Sequence, residues 1–419
     1  MDKLLIRGPK PLSGSVEVAG AKNATLPIMA ATLLTPEPCV IRHVPLVQDV
    51  KTMMKLLQIL GKQAELKGDT LYLSDGKSLN VEAPYEIVKQ MRASYYVLGP
   101  LLAREHRARV SLPGGCAIGP RPIDLHLKGM RALGAEIAIE HGYIAARARQ
   151  LTGSEMLLEG SHGPSVGASA NVMMAATLAQ GRTVIHGASC EPEVVNLAEF
   201  LVALGARITG AGTPTITVDG VGQLHGTDFQ PIPDRIEAGT LALAAAITRS
   251  RVELTGCRPE HMSALLEKMR GTGCSVEASG STLKLDGRHA VKPVDVTTAP
   301  YPGFPTDCQA QFTALLCLAA GRSVVTEHVF ESRYLHALEL ARMGARIDVD
   351  ANQAVIDGVP KLSGAPVMAS DIRASASLVL AGLAAEGETE ISRIYHLDRG
   401  YARLEEKLRR LGADVTRIR

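Results

Sequence analysis

Leu204-Gly205-Ala206-Arg207-Ile208 is a helix stop followed by a strand start: a glycine closes an apolar helical pattern and a β-branched run follows. The pattern recurs at Leu60-Gly61, Leu133-Gly134-Ala135-Glu136-Ile137, Thr272-Gly273-Cys274-Ser275-Val276, Met343-Gly344-Ala345-Arg346-Ile347 and Leu411-Gly412-Ala413-Asp414-Val415, with successive glycines 73, 71, 68, 71 and 68 residues apart. Six copies of a unit of about seventy residues therefore fill the chain. A second series runs in phase with it. Ala- and Leu-rich segments such as Met174–Gly181, Leu315–Gly321 and Leu378–Gly387 each lead into a short β-branched stretch, and 29–34, 97–103 and 241–247 are the other copies. Helices apolar on every side are buried, so each unit predicts one buried helix, one more polar capped helix and short strands.

The residues that open the buried helices carry the chemistry. They are Lys22, Arg92, Ser165, Arg235, Asp307 and Arg373, spaced 70, 73, 70, 72 and 66 apart. Helix N-termini expose unpaired N–H groups and a partial positive charge, so several meeting with Lys and Arg suit phosphate or carboxylate. Any one copy reads equally well as an N-cap beside a solvated arginine; six in register favour a shared anion site. Arg121, Arg333 and Arg399 add planar guanidinium forks in loops rich in Gly, His and aromatics.

Ser111-Leu-Pro-Gly-Gly-Cys116-Ala-Ile-Gly-Pro-Arg121-Pro-Ile-Asp124-Leu-His126 places a thiol between Gly/Pro turns and beside fixed charge. Such a thiol packs poorly and suits a reacting group, although a small hydrophobe near a turn reads the same way. Seven cysteines, the closest pair nine apart, offer no CxxC pair and read as reduced thiols. With 45 basic and 43 acidic residues the chain has no general field for nucleic acid. It shows neither a signal peptide nor a long apolar run, which predicts a cytoplasmic protein without membrane insertion. No metal-ligand spacing occurs, and neither a metal nor a cofactor is expected.

Gly163-Pro-Ser165-Val-Gly167 fits the G-x-S-x-G elbow of serine hydrolases, and a strand precedes it. A sixfold repeat is not a hydrolase sheet, and a Ser-Val-Gly turn at a helix start suits diphosphate better.

Ala19-Gly-Ala-Lys22-Asn23-Ala, Met91-Arg92-Ala-Ser, Pro113-Gly-Gly-Cys116, Pro233-Asp-Arg-Ile-Glu237, Tyr301-Pro-Gly-Phe-Pro-Thr-Asp307, Asp371-Ile-Arg373-Ala-Ser and His396-Leu-Asp-Arg399-Gly-Tyr carry a recognisable resemblance. The chain resembles the enolpyruvyl transferase family over essentially its whole length, in the branch that has a cysteine loop. The resemblance implies an α/β fold, a two-lobed inside-out α/β barrel of six repeats with three per lobe. Residues 22–230 are expected to form the lobe with the Cys116 loop. Residues 1–21 and 231–419 are expected to form the lobe with Asp307, Arg333, Arg373 and Arg399.

The reaction implied is transfer of the enolpyruvyl group of phosphoenolpyruvate to the 3′-hydroxyl of UDP-N-acetylglucosamine, releasing phosphate. By the same resemblance Cys116, Asp307, Lys22 and Arg399 are catalytic, Cys116 as proton donor and Asp307 as base. Lys22, Asn23, Arg121, Arg333, Arg373 and Arg399 would hold phosphoenolpyruvate. Asn23, Arg92, Arg121, Pro122, Ile123, Asp124, Leu125, Ser165, Val166, Asp307 and Val329 would contact the sugar nucleotide. Family members often carry lysine where this chain has Gly163.

Overall fold

A computed structural model describes residues 2–112, 123–161 and 163–419. They form two compact units, one of residues 2–19 and 233–419 and the other of the described residues between 20 and 232.

Each unit contains three four-stranded sheets of one design. In the 20–232 unit, Arg182–His186 pairs in parallel with Glu155–Leu157 and antiparallel with Thr215–Asp219, which carries Arg207–Thr209 on its far side. Cys39–Ile41 and Arg107–Ser111 occupy the corresponding place in the other two sheets. In the second unit the places belong to Arg251–Thr255, Arg322–Thr326 and Gly387–Ser392. The register repeats as well. Arg182, Arg251 and Arg322 lie opposite Asp219, Asp286 and Asp357 and bond to them at 2.7, 2.8 and 2.7 Å. The arginines of these pairs are largely exposed, so the pairs add little stability, but they mark equivalent strand positions.

The glycine stops behave as their spacing predicts. Gly61, Gly134, Gly205, Gly273, Gly344 and Gly412 all have positive φ, between 91° and 101°. At five of them the next residue's N–H reaches back five positions, as in Ala135 to Met130 and Ala413 to Leu408. That closure satisfies helix carbonyls and needs a residue tolerant of left-handed backbone.

The apolar series forms the inner layer. Arg235–Ile247, Gln309–Leu316 and Ile372–Ala384 touch one another in one unit; Lys22–Ala31, Leu98–Glu105 and Val166–Ala176 cluster in the other, joined there by the turn Arg92–Val97. Nearly every residue of these helices is buried, under one another, the outer helices and the strands. Helix approach is close enough to dictate sequence: a Cβ on Gly99 would stand 2.3 Å from the Asn171 carbonyl oxygen. Among the described residues no helix is long and apolar enough to cross a membrane.

Candidate active site

Two of the predicted arginines of residues 233–419, Arg333 and Arg373, converge on the predicted carboxylate Asp307. Asp307 lies in the turn Thr306–Cys308 that leads into Gln309–Leu316. Arg373 is the second residue of Ile372–Ala384, whose first turn is capped by Asp371 accepting from the Arg373 and Ala374 N–H groups at 2.8 and 3.1 Å. Arg333 stands just before Leu335–Arg342. Arg333 Nη2 meets Asp307 Oδ1 at 2.9 Å and Arg373 Nη2 meets Oδ2 at 2.8 Å. Both arginine side chains are 6% exposed, against 26% for Asp307. The open side of this group is therefore the carboxylate.

Arg373 is gripped from behind as well. Its Nη1 donates to the Tyr401 hydroxyl at 3.2 Å, and Gln311 Nε2 donates to the same oxygen at 3.1 Å and to the Asp307 carbonyl at 2.9 Å. Thr240 shares a hydrogen bond with Tyr401 at 2.9 Å. Burial opposes the Arg373 charge, but Asp307 and Tyr401 outweigh it and hold the guanidinium well above the ordinary range. A buried arginine fixed at both ends of its fork is preorganised to meet an anion. Arg399 closes the turn Ile394–Arg399 half-buried beside His396, whose pKa is lowered by burial and then by Arg399.

In the 20–232 unit, Lys22 opens its helix at 7% exposure, with Nζ 3.4 Å from Asp49 of Gln48–Ile59. Asn23 follows it, half-buried. Arg92 opens the turn Arg92–Val97 and is half-buried. His126, on Asp124–Ala132, takes a hydrogen bond at 3.1 Å between its Nδ1 and Asn171 Nδ2. The Asn171 amide donates there, so Nδ1 accepts and the ring proton sits on Nε2. Burial, then the nearby Arg92 charge, pushes His126 down to about 4, leaving it neutral near pH 7.

The Ser165-Val166-Gly167 turn is built against this ring. Ser165 accepts from Ala168 N at 3.2 Å and caps Val166–Ala176, while a Cβ at Gly167 would stand 2.9 Å from His126 Nε2. A larger residue there would require the His126 ring to shift. Ser165 has φ −103°, without the strained backbone of a nucleophile elbow, and its hydroxyl serves as a cap. Gly163 has φ 85°, so a lysine at that position would cost about 1–2 kcal/mol of backbone strain.

Ile123 precedes and Asp124 and Leu125 begin their helix, and Val329 donates its N–H to Glu327 at 2.8 Å. Cys116, Arg121 and Pro122 lie outside the described residues. Asp49, Gln311 and Tyr401 were not among the predicted site residues. Tyr401 falls inside the quoted His396–Tyr401 motif, which was the one signal available for it.

The six described cysteines are poor nucleophiles. Burial raises Cys39, Cys190 and Cys257, and pushes Cys274 to about 11 and Cys308 and Cys317 to about 12. Thiolate is the reactive form, so alkylation near pH 7.5 is expected to label Cys116 first. Peptide mapping after brief iodoacetamide treatment should place the fast adduct there, and Cys116→Ser should remove it; equal labelling elsewhere would refute this.

Comparison with known proteins gives a consistent result. The sequence model of the family described as EPSP synthase (3-phosphoshikimate 1-carboxyvinyltransferase) matches residues 6–408. A UDP-N-acetylglucosamine 1-carboxyvinyltransferase of Desulfosudis oleivorans is 53% identical over 418 residues, covering 100% of both chains. One from Geobacter metallireducens is 51% identical over 419 residues, again with 100% of each chain covered. Among solved structures, the enolpyruvyl transferase NikO from Streptomyces tendae superposes with TM-score 0.89 at 26% identity, over 99% of this chain and 98% of that one. An EPSP synthase from Acinetobacter baumannii shares the fold, with TM-score 0.76 at 18% identity over 100% of both chains.

Proposed function

We infer the reaction from one premise: the chain belongs to the EPSP synthase family, and within it to the UDP-N-acetylglucosamine 1-carboxyvinyltransferases. The protein is an enolpyruvyl transferase. It moves the enolpyruvyl group of phosphoenolpyruvate to the 3′-hydroxyl of UDP-N-acetylglucosamine and releases phosphate, the first committed step of peptidoglycan synthesis. The observation that carries this reading is identity above 50% along the whole chain to proteins of that name. The site chemistry supports it, since two substrates rich in phosphate and carboxylate match a set of buried cationic side chains.

The reaction proceeds by addition and elimination. The 3′-oxygen bonds to C2 of phosphoenolpyruvate while C3 gains a proton; C3 then loses a proton as the C2–O bond to phosphate breaks. In our assignment Cys116 donates the proton to C3, and Asp307 accepts the proton of the attacking hydroxyl. Lys22, Arg121 and Arg399 hold the phosphate and carboxylate, with Asn23, Arg333 and Arg373 completing the anion pocket. Such fixed donors stabilise the negatively charged tetrahedral intermediate without reorganisation. Asn23, Arg92, Arg121, Pro122, Ile123, Asp124, Leu125, Ser165, Val166, Asp307 and Val329 contact the sugar nucleotide. We place the enzyme in the cytoplasm, where both substrates are made.

Phosphate release from phosphoenolpyruvate tests the reading. Release is expected with UDP-N-acetylglucosamine and absent with shikimate 3-phosphate. Release with shikimate 3-phosphate alone would move the chain to the other branch. A folded protein that binds the sugar nucleotide yet releases no phosphate would be a non-catalytic relative.

A further inference from the structure

We propose that Glu327 and Thr306 are positioning residues of this active site, the two oxygens of one buried carboxylate holding two different parts of the machinery. The proposal rests on the assignment of Asp307 as proton acceptor and Val329 as a sugar-nucleotide contact. Glu327 follows the strand Arg322–Thr326 and is 0% exposed. A buried carboxylate is costly unless its lone pairs are met by donors. Here four donors meet it, and they divide by oxygen.

Oε1 accepts from Thr298 Oγ1 at 2.6 Å and from the Val329 and Phe330 N–H groups at 2.8 and 3.0 Å. Thr298 in turn accepts the His328 N–H at 3.0 Å. This half folds the backbone of 327–330 into a tight turn and so fixes where Val329 stands.

Oε2 accepts from Thr306 Oγ1 at 2.8 Å, and the same hydroxyl lies 2.9 Å from Arg333 Nη1. Arginine can only donate, so Thr306 accepts from Arg333 and points its own proton at Glu327. The other end of the Arg333 fork is on Asp307 Oδ1 at 2.9 Å, and its Nε has no hydrogen-bond partner among the described residues. The guanidinium is therefore oriented by adjacent residues, Thr306 and Asp307, with the Phe330 ring 5.4 Å away. Charge alternates along the line from the Glu327 carboxylate through the Thr306 hydroxyl and the Arg333 guanidinium to the Asp307 carboxylate. Glu327 thereby sets the hydroxyl that sets the arginine beside the base. Glu327 Oε1 serves binding and Oε2 serves the chemical step.

Steady-state phosphate release by the full chain, read as separate kcat and KM for UDP-N-acetylglucosamine, distinguishes the two arms. Thr306→Val removes the hydroxyl from the Oε2 arm and is expected to lower kcat by roughly tenfold or more, with KM within about twofold. Thr306→Ser, which keeps the hydroxyl, should recover most of that loss. Thr298→Val makes the same hydroxyl-to-methyl change on the Oε1 arm and should raise KM by roughly fivefold or more, with kcat within about twofold. Calorimetric binding of the sugar nucleotide should weaken in Thr298→Val and not in Thr306→Val.

A merely structural carboxylate predicts the same parameter moving by similar factors in both valine variants, and that result would overturn the proposal while leaving the assigned reaction intact. Wild-type protein whose phosphate release ignores the sugar nucleotide would overturn both. If Thr306→Val does not fold, Glu327→Gln supplies the test: one amide oxygen cannot meet donors on both arms, so kcat or KM must shift by about tenfold. Wild-type values for both in Glu327→Gln would overturn the proposal.

Discussion

Asp307→Asn is expected to lower kcat for phosphate release by about 10²–10⁴-fold, the usual contribution of a positioned general base. Asparagine keeps the size of the side chain and one acceptor oxygen. It replaces the other oxygen with an N–H₂ group that faces either Arg333 Nη2 or Arg373 Nη2, each now at 2.8–2.9 Å from a carboxylate oxygen. One arginine, only 6% exposed, then meets a donor instead of an acceptor. Leaving a buried charge without its partner is strongly destabilising, so the melting temperature should fall together with activity. Asp307→Glu separates the two effects, because it retains the base and both acceptors while displacing them. It should keep more activity than asparagine at comparable stability. An Asp307→Asn enzyme that is folded and retains more than a tenth of wild-type kcat would remove Asp307 from the role of base.

Cys116→Ser is expected to be as damaging and to leave the fold unchanged. A thiol with an ordinary pKa near 8.5 can give up a proton at neutral pH, whereas an alcohol holds its proton far more strongly, so serine conserves shape and loses the acid. Loss of about 10²-fold or more in kcat is the expected size. Cys116→Asp restores an acid of different strength and should recover measurable turnover with an altered pH profile. The contrast between the two variants is the informative measurement. If serine and aspartate are equally inactive, the thiol acts as a nucleophile or as a packing group rather than as the proton donor; if serine is active, the loop is not the source of the proton.

Both predictions use residues visible in the sequence, and that visibility has a local cause. A glycine stop is decided by the few bonds that close a helix, so six glycines at near-equal spacing reported six helix ends, and all six have the positive φ that such ends require. Buried helices were legible because an apolar helix announces its surroundings on all faces. Asp307 and Arg373 could be picked out as charged residues at helix starts, and Arg333 as an arginine in a loop rich in His and aromatics. Their mutual contact could not, since it joins segments 66 residues apart in the chain for Arg373 and Asp307.

What the sequence by itself determined is the set of elements, their sixfold recurrence, and the residue types offered to the site, because caps, turns and periodicity act over a handful of neighbours. Only the tertiary structure decided the partnerships. The strand Lys3–Gly8 lies between Gly387–Ser392 and Asp414–Ile418, with Leu4 opposite Ile391 and Ile6 opposite Val415. Lys22 finds Asp49, Arg373 finds Tyr401, and Glu327 is buried against Thr298 and Thr306 although glutamate is ordinarily a surface residue. Backbone pairing and buried hydrogen bonds are chosen by which groups packing removes from water at the same place, and that is a property of the assembled chain rather than of any window along it.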